Sequence, residues 1–416
     1  MDAPATRAVV GALEAAGGPG CARFVGGCVR DALLGRPFDD VDIATPLTPP
    51  EVIAALGAAG VRAVPTGVDH GVVTAVSGGR PFEVATLRRD VETDGRRAVV
   101  AYTRSWAEDA ARRDFRLNAL YAEPGGALHD PTGGGLADAR AGRVAFIGEP
   151  HARLREDYLR ILRFFRFTAW YGREGFDAAG LAACAELRSG LARLSAERVS
   201  KELLRLLAAP DPRPAVRAMA ETGVLTELLP EVDGLARFLH LVEVEVRGAE
   251  PDAVLRLAAL LPDAAEPVRT ASLRLKLSNA QRDRLAGAVS AGEPLRAGMD
   301  GAAFRRARYL LGARVLADRL ALALAADPWN QERWAMLELE ESGWSPPAFP
   351  VSGAEIAAAG VPQGPLHGRV RRELERLWVA WDFPEDAAGL RARLREMADE
   401  IAERQHVDGG RHGQGG

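Results

Sequence analysis

Along the first third of the chain the apolar positions switch repeatedly between a period of two and a helical period, and the switches mark elements. Residues 6–17 (TRAVVGALEAAG) predict a helix. Phe24 and Val25 end a short apolar run, Gly26-Gly27 turn the chain, and Val29, Ala32, Leu33 and Leu34 recur at helical spacing until Gly35 stops them. That is strand, glycine turn, helix. After Pro37, the run Phe38-Asp39-Asp40-Val41-Asp42-Ile43-Ala44 reads as a strand whose Val41 and Ile43 face the core, which sets Asp40 and Asp42 side by side on the other face. Thr48 caps a predicted helix over Pro49–Leu56, with both prolines in the tolerated first turn. Strands follow at Val61–Val64, Val72–Val76 and Phe82–Arg88, the last placing Glu83 and Ala85 on one face. Polar, glycine-punctuated Asp90–Arg97 predicts a mobile loop, and Trp106–Leu120 a helix.

From His151 onward the strand period disappears. Residues 151–173 are helical in pattern and hold six arginines against two acids, with Leu159, Leu162 and Phe165 between the charges. Ser195 opens a further helix that runs through Leu203, Leu204 and Leu207 until Pro210–Pro214 breaks it. Residues 215–345 alternate helical stretches with proline and glycine linkers, Pro384–Glu403 predicts a last helix, and 407–416 a disordered terminus. The pattern therefore divides into an α/β part followed by an all-α part.

A length of 416 residues, 47% of them apolar, supports two to four packed units. No apolar run approaches the ~20 residues that span a bilayer, so no membrane partner is expected, and the N-terminus lacks a signal-peptide profile. Cys21, Cys28 and Cys184 form no Cys-x-x-Cys pair, which agrees with a reducing, cytoplasmic setting. The net charge of -4 argues against indiscriminate binding of nucleic acid, because phosphate affinity comes largely from Lys and Arg. A local basic patch is still allowed.

Two stretches carry candidate chemistry. Side-chain-free Gly26 and Gly27 at a helix N-terminus let backbone N–H groups approach an anion, and Arg30 one turn in can add a charge-assisted contact, so phosphate is the natural ligand. Two carboxylates held together, Asp40 and Asp42, call for a cation, and hard oxygen ligands with room for substrate phosphates suit Mg²⁺. Glycine turns and exposed acidic pairs are each common, and the weight lies in their conjunction. In the second stretch Asp157 and Arg160 stand one turn apart, a spacing that a surface ion pair also produces.

Gly26-Gly27-x-Val29-Arg30-Asp31 followed by Asp40-x-Asp42 resembles the class II nucleotidyltransferases of the DNA polymerase β superfamily, which add CCA to tRNA 3′ ends or poly(A) to RNA. The resemblance extends to Arg112-Arg113-Asp114-Phe115, to Asp94-Gly95-Arg96-Arg97 in the loop, and to Glu156-Asp157-x-x-Arg160. Asp39 departs where a lysine is frequent, Ala98 where a proline is often found, and Arg116 where a threonine is usual. It implies an α/β nucleotidyltransferase head over residues 1–148, an all-α neck over 149–210, a helical body and tail over 211–405 that bind tRNA, and a disordered end at 406–416. It further implies catalytic Asp40, Asp42 and Glu83, with Asp40 and Asp42 on the metal. Gly26, Gly27, Arg30, Arg113, Asp114, Asp157, Arg160, Arg163 and Arg166 would contact the nucleotide. The implied partners are the tRNA 3′ end with CTP and ATP.

In that family Asp157 and Arg160 act as a template made of protein. Asp accepts only and Arg donates only, which fits the amino donor and neighbouring ring acceptor of cytosine and of adenine. Uracil and guanine reverse the pattern, at a cost of at least ~1–3 kcal/mol each. A poly(A) polymerase or A-adding enzyme of the same family, and a catalytically silent RNA- or nucleotide-binding protein built on this head, stay open at this level.

Overall fold

The computed structural model describes residues 3–94, 97–246, 248–289, 295–340 and 343–411. Two compact units emerge, one of Met1–Pro262 with Glu266–Asp283, the other of Asp263–Ala265 with Arg284–Gly416. No described helix is long and apolar enough to cross a membrane.

The first unit begins with α1 (Pro4–Gly17), β1 (Arg23–Val25), α2 (Gly27–Leu33), β2 (Asp42–Thr45) and α3 (Pro49–Ala58). β3 (Arg62–Gly67), β4 (Val72–Ser77) and β5 (Arg80–Thr86) then form a meander, β6 (Arg88–Asp94) and β7 (Arg97–Tyr102) a separate ribbon, and α4 (Trp106–Ala111), β8 (Tyr121–Ala122), β9 (Leu128–His129) and α5 (Gly135–Ala141) close the α/β part. Strand order in the seven-stranded sheet is β3-β4-β5-β2-β1-β8-β9. Among the described strands only β2 and β5 run parallel, with Asp42 opposite Glu83 and Ile43 opposite Val84. A parallel neighbour needs a crossover, which α3, β3 and β4 supply. α1 and α3 pack against each other and on β4, and bury Leu13, Val52 and Leu56 with Ile43, Val73 and Val84. Each such side chain gains about 1.5–3 kcal/mol on leaving water.

The remainder of this unit is helical: α6 (Pro150–Glu156), α7 (Leu159–Tyr171), α8 (Ala178–Glu186), α9 (Ala196–Leu207), α10 (Arg213–Glu221), α11 (Val224–Leu228), α12 (Leu235–Glu245), α13 (Ala253–Leu260), α14 (Ala265–Arg274) and α15 (Asn279–Val289), which runs on into the second unit. That second unit is built from α16 (Gly301–Ala326, kinked at Gly312), α17 (Gln331–Glu340), α18 (Gly353–Ala358), α19 (Pro365–Ala380) and α20 (Ala388–Arg411). Its largest cluster packs Ile356, Val370, Leu374, Trp378 and Leu390. The chain is thus an α/β part followed by helices.

Four expectations change. β2 starts at Asp42, so Asp40 lies in the irregular segment before the strand and not beside Asp42 on a strand face. Residues 88–94 and 97–102 pair as an antiparallel ribbon where Asp90–Arg97 read as a loop; Gly95 and Arg96 lie outside the described residues. The helix expected over Trp106–Leu120 stops at Ala111, because Phe115 is extended (φ −122°, ψ 146°), bridges Phe146 and is wholly buried against Phe146 and Phe167. α20 continues to Arg411, across part of the terminus expected to be disordered, since propagating a helix costs less than nucleating one. Residues 412–416 lie outside the described residues.

Candidate functional site

Gly26 sets the geometry of the first wall. Its backbone (φ 75°, ψ −123°) is one that L side chains rarely adopt, and a Cβ there would meet Arg113 Nη1 at 3.5 Å. The turn leads into α2 and opens on a cavity of about 890 Å³. Gly26, Gly27, Arg30, Asp40, Asp42, Arg113, Asp114, Asp157, Arg160, Arg163 and Arg166 all line it. Glu83 does not; it lies across from Asp42 on β5, exposed, and acts on that carboxylate through its charge. Nine arginines face six aspartates around the cavity, an excess of positive charge suited to a triphosphate.

The acids fall into two kinds. Asp31, Asp114 and Asp157 are each bound by an arginine, whereas Asp39, Asp40 and Asp42 have no ion-pair partner among the described residues. Burial first, then the charges of Glu83 and Asp40, push the Asp42 carboxyl up to about 6, with Arg113 opposing them. A carboxylate raised in this way by its neighbours is relieved by a cation. The described residues hold no group of three His, Cys, Asp or Glu that could complete a metal site. Asp40 and Asp42 therefore suit a hard ion that takes its other oxygens from substrate and water.

Arg30 is not the free phosphate ligand that its position suggested. It is 6% exposed, donates to both Asp31 oxygens (3.0 and 2.8 Å), to Asn118 Oδ1 at 2.5 Å and to the Tyr171 hydroxyl at 2.6 Å, and stacks on the Tyr171 ring at 3.9 Å. These bonds use four of five guanidinium hydrogens and leave one on Nη1. Its main effect is to tie α2 to the end of α7.

Arg113 and Arg112 are both held by Asp109, which is 1% exposed and escaped the sequence reading. Asp109 also accepts from the Tyr121 hydroxyl at 2.7 Å. Burial works to raise its pKa, but Arg113, Arg112 and Tyr121 outweigh it and hold Asp109 below the usual carboxylate range. Its i−3 and i−4 spacing to the two arginines was the available signal. Asp114, expected on the nucleotide, spends its carboxylate inside the protein: Oδ1 accepts from Phe115 N at 2.8 Å and Asn118 at 3.1 Å, and Oδ2 from Arg163 Nε at 2.7 Å. Burial opposes ionisation there too, yet Arg163 and Asn118 keep the pKa low.

Asp157 and Arg160 do not share a helix, and although Arg160 N donates to the Asp157 carbonyl at 3.0 Å, their side chains do not pair with each other. Asp157 is extended (φ −154°, ψ 106°) at the break between α6 and α7. The break is packed in place, since a Cβ on Gly190 would come within 2.1 Å of the Tyr158 ring. Asp157 Oδ1 accepts from Leu159 N at 3.1 Å and Oδ2 from Arg198 at 2.7 Å, so each oxygen keeps a lone pair. Arg160 Nη1 donates to the Arg153 carbonyl at 2.8 Å and to Glu156, and Nη2 to the Arg112 carbonyl at 3.4 Å, which leaves Nε–H and one Nη2–H. Arg153 Nη2 in turn donates to the carbonyls of Arg112 and Arg113 at 2.7 and 2.6 Å, which fixes α6 against them. Arg163 and Arg166 are braced by Asp114 and by buried Glu202 of α9, another residue without a local sequence signal pointing across the cavity.

The chain matches the family described as Poly A polymerase head domain over residues 22–145, and that described as Probable RNA and SrmB- binding site of polymerase A over residues 176–235. It is 34% identical over 373 residues to the mitochondrial CCA tRNA nucleotidyltransferase 1 of Mus musculus, covering 86% of this chain and 82% of that one. It is 30% identical over 393 residues to the CCA-adding enzyme of Lacticaseibacillus paracasei, covering 93% and 95%. The crystal structure of the Bacillus stearothermophilus CCA-adding enzyme in complex with CTP superposes with a TM-score of 0.73 at 26% identity, over 97% of this chain and 100% of that one. Likeness of this extent, over a site with this inventory, means that the chain belongs to the class II CCA-adding and poly(A) polymerase family.

Proposed function

We propose that this chain is a CCA tRNA nucleotidyltransferase, adding C, C and A to the tRNA 3′ end from CTP and ATP and releasing pyrophosphate without a nucleic-acid template. One observation carries the reading: the acids Asp40 and Asp42, without ion-pair partners among the described residues, and the donor–acceptor set of Asp157 and Arg160 line the same cavity. The tRNA 3′ hydroxyl attacks the α-phosphate held there, and pyrophosphate leaves. Asp40 and Asp42 are the residues to hold a divalent cation, Mg²⁺ in our reading. Bound there, it would lower the pKa of the attacking hydroxyl and neutralise the leaving group. Glu83 shapes the charge at Asp42 from the adjacent strand. Gly26, Gly27 and the remaining Arg30 hydrogen face the triphosphate, and Arg113 the sugar–phosphate region. Asp157 accepts from the exocyclic amino group while Arg160 donates to the ring nitrogen, so cytosine and adenine satisfy both. Asp114, Arg163 and Arg166 form the frame that keeps this set in register.

We assign residues 1–148 to the head, 149–210 to the neck, 211–405 to a body and tail that receive the tRNA by shape and backbone, and 406–416 to a short terminal stretch. The three free, buried cysteines suit a cytoplasmic location. The test is incorporation into tRNA lacking its last three nucleotides, with CTP, ATP, GTP and UTP offered singly and then together, and the products sequenced. CTP used first, ATP only after two additions, and a product ending in CCA is the expected result. A run of A, or no incorporation alongside intact tRNA binding, would replace the reading with a poly(A) polymerase or a silent binding protein.

A further inference from the structure

Helix α9 carries Arg198, Glu202 and Arg205 at i, i+4 and i+7, so the three share a face. Arg198 and Arg205 line the cavity, and Glu202 lies between them at 5% exposure. The charges on this face complement those that precede it in the chain. Arg198 Nη2 donates to Asp157 Oδ2 at 2.7 Å, and Glu202 accepts from Arg166 Nε at 2.5 Å. The far end of α9 is anchored as well: fully buried Arg256 donates Nη1 to the carbonyls of Leu207 and Ala209, both at 2.6 Å, and Nε to Glu245 at 2.6 Å. α9 is a rigid support laid along the base-reading residues.

Asp157 stands where such support matters. Its extended backbone at the α6–α7 break is outside both helices, so no helical backbone geometry sets its side chain, and the carboxylate depends on the groups that bond to it. Its carboxylate accepts from two groups among the described residues, the Leu159 N–H on Oδ1 and the Arg198 guanidinium on Oδ2. One contact alone would let the carboxylate plane turn; two from separate elements fix it. Base choice depends on that plane, because the amino donor must meet a free Asp157 lone pair while the ring acceptor meets Arg160. A plane free to turn away would no longer oppose the carbonyl of uracil or guanine, and the penalty for the wrong base would fall.

We propose that Arg198 is a positioning residue that determines base specificity: by holding Oδ2 of Asp157 from α9, it fixes the acceptor that selects an amino-bearing base and suppresses uracil and guanine. This rests on the base-reading role of Asp157 given above. The measurement is the ratio of UTP to CTP incorporation by the purified full chain on tRNA lacking its last three nucleotides. Arg198→Met should raise the ratio about tenfold, as the loss of one charged hydrogen bond implies, and Arg198→Lys should return most of it. In an Asp157→Ala background Arg198→Met should add nothing further. An unchanged ratio in Arg198→Met, with Asp157→Ala still blurring the choice, overturns the role of Arg198 and leaves that of Asp157 standing. Unchanged selectivity in Asp157→Ala overturns both. A uniform loss of all four nucleotides in Arg198→Met at constant ratio marks mere structural support and overturns the proposal too.

Discussion

The two walls of the cavity treat charge in opposite ways. Near the glycine turn, Asp39, Asp40 and Asp42 stand without ion-pair partners among the described residues, and burial together with the charges of Glu83 and Asp40 makes the ionised Asp42 costly. Toward α7 and α9 the acids are matched: Asp114 with Arg163, Glu202 with Arg166, Asp157 with Arg198. Unmatched like charges destabilise a fold unless a ligand repays them, whereas matched charges hold donors and acceptors at set positions. On the proposed function, a cation completes the first wall, and the second holds its recognition groups already in place.

The sharpest way to break this contrast is Asp42→Asn. Incorporation should fall by about 10³-fold or more, the several kcal/mol that a positioned divalent ion contributes, while tRNA affinity measured by filter binding stays within a few-fold. Retention of activity would remove the acidic wall from the chemistry. On the matched wall, Glu202→Ala should leave the partly buried Arg166 without its partner and lower unfolding stability by about 3 kcal/mol, read from denaturant midpoints. A small shift there would mean that water replaces the carboxylate and that the wall is not rigid.

Acid should separate the walls further. Asp109 and Asp114 have folded pKa values below their unfolded ones, so their stabilisation is present above the ordinary carboxylate range near ~4 and is lost as pH falls through their depressed values. Asp114→Asn should therefore destabilise clearly at pH 7 and progressively less toward pH 3 in urea titrations. Asp42 carries the opposite sign. With a folded value of about 6, it binds its proton more tightly folded than unfolded, and it costs stability as pH rises from ~4 through 6. In metal-free protein Asp42→Asn should raise the melting temperature at pH 7 but not at pH 4, the smallest of these effects. Parallel pH curves for Asp42→Asn and Asp114→Asn would erase the distinction between the walls.

Several features were legible from residue order. The strand, glycine turn and helix of residues 23–33 follow from local apolar period and from glycine alone. The cap at Thr48, whose N–H donates to Glu51 at 2.7 Å, and the helix after Ser195 are equally local. Asp40 was misplaced because a strand needs a partner along its length, and pairing with β1 and β5 reaches back only to Asp42. The helix over 106–120 was overextended because helical spacing cannot register that Phe115 would be claimed by the Phe146–Phe167 cluster.

Residue types and short spacings were sufficient to propose the chemistry: carboxylates that want a cation, and one acceptor with one donor that want an amino-bearing base. Which charge meets which was a matter of packing. Asp157 lies three residues from Arg160 in sequence, yet its carboxylate is bonded to Arg198, and Arg30 turned inward to Tyr171 rather than outward to solvent. Ion pairs depend on distance in space, and a distance across separate helices is encoded in no local period, only in the burial of every side chain between them.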